Sequence, residues 1–200
     1  MSDMNISLQT GDTFYDRMHR DYLEQRKIII NDDINNFLVE SAILQIIRWN
    51  EIDDQNNTPL ENRQVITIYV NTPGGDIGIG FVLCNVIEHS KTPIKIITLG
   101  QASSMGAYIA MSGHKGLRYC YPFTTYLIHS GSMVVSGNAN DVTSTVKYYT
   151  DMKDDIASFI YKHTKITPKL YKAQQKEEWL INAKLGKKLS LVDHIIGVDC

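Results

Sequence analysis

Three cysteines in 200 residues, Cys84, Cys120 and Cys200, are too few and too scattered for a disulfide framework. They form no Cys-x-x-Cys pair, and no His or Cys spacing suggests a metal site, so free thiols in a reducing compartment are expected. Charge of one sign is also lacking. With 20 Lys and Arg against 22 Asp and Glu, the formal net charge of -2 excludes a polybasic footprint for nucleic acid or an anionic membrane. No apolar run approaches the roughly 20 residues of a membrane span. The first residues carry Asp3, Asp12, Asp16, Arg17 and Arg20 where a signal peptide would be apolar, so a cytoplasmic protein is expected. Phosphate signatures are absent too. Asn71-Thr-Pro-Gly-Gly-Asp76 has no Gly-Lys-Ser/Thr ending, and after Gly78 and Gly80 the third glycine of a dinucleotide fingerprint is missing.

What is present reads as one α/β domain. Residues 1 to about 25 lack a core pattern and are expected to form a mobile or partner-facing arm, in which Phe14, Tyr15, Met18, Tyr22 and Leu23 could make an amphipathic turn or two. Residues 26–200 then supply Lys27–Ile30 as a buried strand and Asn35–Trp49 as a helix. Asp53–Pro59 reads as a surface loop, and Val65–Val70 as an interior strand. Asp76 is placed to cap a helix carrying Ile77, Phe81, Val82, Val86 and Ile87. Short strands around Leu117–Cys120 and Thr124–Ile128 follow, then a long helix from Asn140 and another helix starting at Thr167-Pro168. Alternating strands and helices imply a mainly parallel sheet.

The organising stretch is Lys95–Met111, where β-branched residues run through Gly100, Ala102, Ser103, Gly106 and Ala107 into a helical pattern. Small residues are needed where a strand turns sharply into a helix. A serine there stands beside the unpaired N–H groups of a helix N-terminus, as a nucleophile with an oxyanion site requires. The same serines would serve equally well as helix caps. Gly74 and Gly75 form a second glycine turn, either structural or able to aim N–H groups at a reacting carbonyl. His129 ends a strand, where functional groups collect.

Taken together, Asn71–Gly75, Gly100–Ala107, Arg118–Pro122, Leu127–His129 and Gly137–Asp141 resemble the Clp protease proteolytic subunit (ClpP) family of serine peptidases. The resemblance runs from about residue 25 to the end. It implies a crotonase-like α/β fold with a protruding long helix, or handle. It puts Ser104 on the nucleophile, His129 on the general base, and the N–H groups of Gly75 and Met105 on the oxyanion hole. The third triad member, usually aspartate, falls on Glu178, with Glu177 as the fallback, while Asp193 matches a structural turn. Glu178 could equally be a solvated acid beside Lys176 and Glu177. The resemblance also implies a homo-oligomer of heptameric rings stacked as a tetradecamer, with the long helix and the segment near Met133–Gly137 between rings. It further implies a hexameric AAA+ Clp ATPase unfoldase as partner and unfolded proteins as substrates, with no metal or cofactor. Three other readings stay open: an inactive ring subunit, a capsid-maturation protease of related fold, and an acyl-CoA enzyme.

Overall fold

The computed structural model describes residues 13–131, 134–174 and 177–200. Residues 1–12, Ser132, Met133, Gln175 and Lys176 lie outside that set, and with them the first part of the expected arm and part of the expected inter-ring segment. Thr13 starts the first helix with a reciprocal cap: its Oγ1 accepts from the Asp16 N–H at 3.1 Å, and Asp16 accepts from the Thr13 N–H at 2.9 Å. Helix α1 (Phe14–Glu24) therefore runs for three turns, rather than the one or two expected. It docks through Leu23 against the core and through Tyr22, whose ring stacks on Tyr69 at 6.0 Å.

Seven strands form one sheet: β1 (Lys27–Ile30), β2 (Ile66–Thr72), β3 (Ile94–Ser103), β4 (Arg118–Cys120), β5 (Thr125–Ile128), β6 (Trp179–Asn182) and β7 (His194–Ile195). The order is β1-β2-β3-β4-β7, with β5 pairing the late part of β3 and β6 pairing β5. Every pairing is parallel except β5 with β6. Parallel strands need covered faces, and α2 (Leu44–Gln55), α3 (Ile77–His89), α4 (Met105–Ser112), α5 (Ala139–His163), α6 (Pro168–Gln174) and α7 (Ala183–Lys188) complete the α/β architecture. Ile66, Ile68 and Val70 on β2 are fully buried, as their β-branched run predicts.

The expected surface loop at Asp53–Pro59 is a correction. A π-helical turn (Val39–Ile43) leads into α2, which continues to Gln55, so only Asn56–Pro59 remains a connection. Asp53 is 4% exposed. It accepts two 2.7 Å hydrogen bonds from the Arg26 guanidinium and one from Thr92 Oγ1, also at 2.7 Å. The Arg26 bonds, chief among these contacts, hold the Asp53 carboxyl below the usual range against the opposing effect of burial. One residue of an otherwise exposed polar run thus makes a buried tie between α2 and the start of β1.

Helix α5 has 25 residues, and the Asn138 side chain caps its first turn by accepting from the N–H groups of Asn140 and Asp141. Ile160 is its one fully buried residue, so the helix projects and is rooted by its last turns. There Phe159 packs between Phe81 of α3 and Tyr108 of α4, with ring centroids 5.6 and 6.1 Å away. Lys162 bonds Glu88 at 3.0 Å, and the His163 ring also contacts Glu88.

Candidate active site

β3 ends and α4 begins at one residue. Ser104 has φ 53° and ψ −123°, a conformation that L-residues rarely adopt and that costs of order 1–3 kcal/mol. Its N–H bonds the Leu127 carbonyl at 2.8 Å, which ties the turn to β5. The capping role that serine often plays is not taken here, because no side-chain hydrogen bond closes the N-terminus of α4. Ser103 is buried and its Oγ accepts from Gln101 Nε2 at 2.8 Å. Of the two adjacent serines, Ser104 alone has an uncommitted hydroxyl among the described residues. All eight residues of α4 are buried, so the turn stands on a rigid support.

The glycine turn closes on the serine turn. A Cβ built on Gly74 would lie 2.7 Å from both the Ser103 carbonyl oxygen and Ser104 Cβ, and 3.3 Å from the Met105 nitrogen. Only glycine allows that approach at φ +106°. If the two turns serve as nucleophile and oxyanion site, as the resemblance implies, Gly74→Ala should retain the circular dichroism of the fold while lowering peptide turnover at least about 100-fold, since displaced donors and nucleophile lose transition-state contacts. The turn is clamped from behind: the Ile34 N–H bonds Gly74 O, and the Asp76 N–H bonds Ile34 O, both at 2.8 Å. The Gly74 N–H is taken by Thr72 Oγ1 at 3.1 Å. This leaves the Gly75 N–H uncommitted, as is the Met105 N–H, among the described residues. Asp76 does cap α3, accepting from the Ile79 N–H at 2.8 Å.

His129 follows the last residue of β5 and is half-buried. With Ser104 and Met105 it lines a cleft of about 590 Å³, whose far wall is Ile156, Ala157 and Tyr161 of α5 and Tyr171 of α6. Burial, foremost, raises the phenol pKa of both Tyr171 in this wall and Tyr108 of α4, which also lines the cleft, so both stay neutral. No hydrogen bond joins Ser104 to His129 among the described residues. Glu178 is exposed and stands one residue before β6. The antiparallel register pairs Ile128 with Trp179; carried one step further, it sets Glu178 across from His129. Glu177 stands outside the strand, in a turn where its N–H bonds the Gln174 carbonyl at 3.2 Å.

The structure thus brings Ser104, Met105, Gly75 and His129 to one end of the sheet, with Glu178 at the adjoining edge. Two contributors escape sequence reasoning. The Ile34 and Thr72 clamp leaves no local signal, being a long-range backbone match. The walls from α5 and α6 were legible only as helical spacing, since nothing in the spacing says what a helix faces.

A family model described as Clp protease matches residues 9–199. An ATP-dependent Clp protease proteolytic subunit from Deinococcus radiodurans is 27% identical over 93% of this chain and 87% of its own length. An ATP-dependent Clp protease proteolytic subunit 2 from Corynebacterium glutamicum is 26% identical, over 98% of this chain and 94% of its own. The corresponding subunit of Carsonella ruddii is 26% identical over 97% and 93%.

Proposed function

The chain belongs to the Clp protease family, with its crotonase-like α/β fold, and on that premise we propose that it is a serine endopeptidase subunit. In this reading His129 takes the Ser104 proton as the hydroxyl oxygen attacks a peptide carbonyl carbon. The oxyanion that forms is held by the N–H groups of Gly75 and Met105. The amine leaves with the proton carried by His129, and water then hydrolyses the acyl-enzyme by the same route. Glu178 keeps the imidazole oriented and offsets its transient positive charge.

The observation that carries this reading is the strained, uncapped Ser104 sharing one cleft with His129. Strain of that kind persists where the surrounding structure over-determines it, commonly at reacting groups. A fluorophosphonate probe should label the wild-type chain and leave Ser104→Ala unlabelled; an unlabelled wild type would sink the proposal.

By the same reading the subunits form heptameric rings stacked as a tetradecamer in the cytoplasm, with α5 between rings. Residues 1–25 face a hexameric AAA+ Clp ATPase, and residues 26–200 are the protease domain. That partner supplies ATP hydrolysis and feeds in unfolded proteins, which are cut to short peptides. A second reading, an inactive structural ring subunit, draws on the missing hydrogen bond between Ser104 and His129. Catalytic hydrogen bonds often tighten only with substrate bound, and the labelling experiment separates the two.

A further inference from the structure

The cleft holding Ser104 and His129 adjoins a second cavity of about 410 Å³ that includes Gly75, Asp76, Tyr149 and Met152. Both are lined by Ile77, Ser130, Gly131, Lys153 and Ile156, so they are two lobes of one groove running along α5. Nucleophile and base stand in the first lobe and the glycine turn in the second. A peptide whose carbonyl lies between Ser104 and Gly75 must cross the waist that joins them. Lys153 is the one charged residue of that waist among the described residues.

The remaining charged side chains of the groove lie off the waist. Asp76, in the second lobe, is committed to the N–H of Ile79 as the cap of α3. Asp154 and Lys172 line only the first lobe. Lys153 itself is exposed and makes no ion pair among the described residues. The rest of the waist is Ile77, Ser130, Gly131 and Ile156, none of them charged.

We propose that Lys153 is a specificity-determining residue that favours substrates with an aspartate or glutamate next to the cleaved bond. The inference rests on the peptidase reading of the same groove. An ammonium at the waist attracts a neighbouring carboxylate in every bound state, so its effect falls on KM rather than kcat. Its size is that of an exposed pair, about two- to five-fold in kcat/KM, and salt weakens it.

The test uses assembled protein and paired fluorogenic peptides that differ only by Asp against Asn beside the cleaved bond. The wild type is expected to prefer the Asp peptide about two- to five-fold through KM, with the preference collapsing in 0.5 M salt, where the Debye length is about 4 Å against about 30 Å in 10 mM buffer. Lys153→Arg should keep the preference, Lys153→Gln remove it and Lys153→Glu reverse it, while Lys184→Gln, on α7, serves as the charge control. Binding of the same peptides to Ser104→Ala by fluorescence anisotropy reads the preference without chemistry. A ratio of one in the wild type, or one that Lys153→Glu leaves unchanged, overturns the assignment. Preferential binding by Ser104→Ala, with no probe labelling of the wild type, would instead sustain Lys153 and defeat the peptidase reading.

Discussion

Glu178→Gln should lower kcat about 10²- to 10⁴-fold and leave KM nearly unchanged. The amide keeps the size of the carboxylate but lacks its negative charge, and it can hold the imidazole in the wrong tautomer. The upper limit applies to a buried orienting acid. Glu178 is exposed, so water screens part of its field and the lower end is the reference point. The register gives the comparison that makes the experiment decisive. Carrying the Ile128–Trp179 register one step on would set Glu178 opposite His129, whereas Glu177 lies in the turn before β6, its N–H bonded to the Gln174 carbonyl at 3.2 Å. Glu177→Gln should therefore change kcat less than two-fold, roughly the scale of a surface charge. Equal losses in both variants would mean that the segment responds as a surface charge, and the orienting role would move elsewhere.

Asp193→Asn should lower the melting temperature by about 10 °C. Arg118 is 4% exposed and is held mainly by this carboxylate, through Nε at 2.9 Å and Nη2 at 2.5 Å. The same Asp193 oxygen accepts from the N–H groups of Gly116 at 2.7 Å and Arg118 at 3.1 Å. Removing one partner of a buried pair strands the other charge, typically at about 3–5 kcal/mol, and a domain of this size loses roughly 2–4 °C per kcal/mol. Arg118 also donates to the His163 carbonyl at 2.9 Å, so the damage extends to the root of α5. Burial pushes the Asp193 carboxyl up, but the Arg118 hydrogen bond and charge outweigh it, and the net result lies below the usual range. A carboxyl depressed in the folded state stabilises the protein above its unfolded pKa, and that contribution disappears as pH falls through the folded value. Thermal scans should accordingly show the variant's deficit shrinking toward acid pH; a deficit constant from pH 7 to pH 3 would contradict the pairing.

Much of this architecture is written locally. The Ile28–Ile30 and Ile66–Val70 runs are dense in β-branched residues and bury alternate side chains as strands, β1 at the sheet edge and β2 inside it, and the small residues around Ser104 permit a turn that larger ones would block. Asp76 and Asn138 are caps because their side chains reach N–H groups two or three residues on. Nonlocal physics is less visible. Asp53 looks solvated until Arg26, which lies 27 residues earlier, is brought beside it. The reach of α1 depends on a Thr13–Asp16 cap that is readable in principle, but its docking depends on Tyr69 from another strand. The candidate site divides the same way. Ser104, Met105 and His129 sit at element junctions that a sequence can mark, whereas the position of Glu178 follows from a strand register that no local pattern encodes.

The rooting of α5 has a mechanical side. A helix of 25 residues spans about 38 Å, and only its final turns are gripped by Phe81, Tyr108 and Glu88. It is a lever with its fulcrum at His163. A swing of about five degrees there carries the distant tip some 3 Å, yet shifts Ile156 and Ala157, two turns from the pivot, by only about 1 Å. The end that reaches outward can therefore follow large displacements while the wall beside Ser104 scarcely moves.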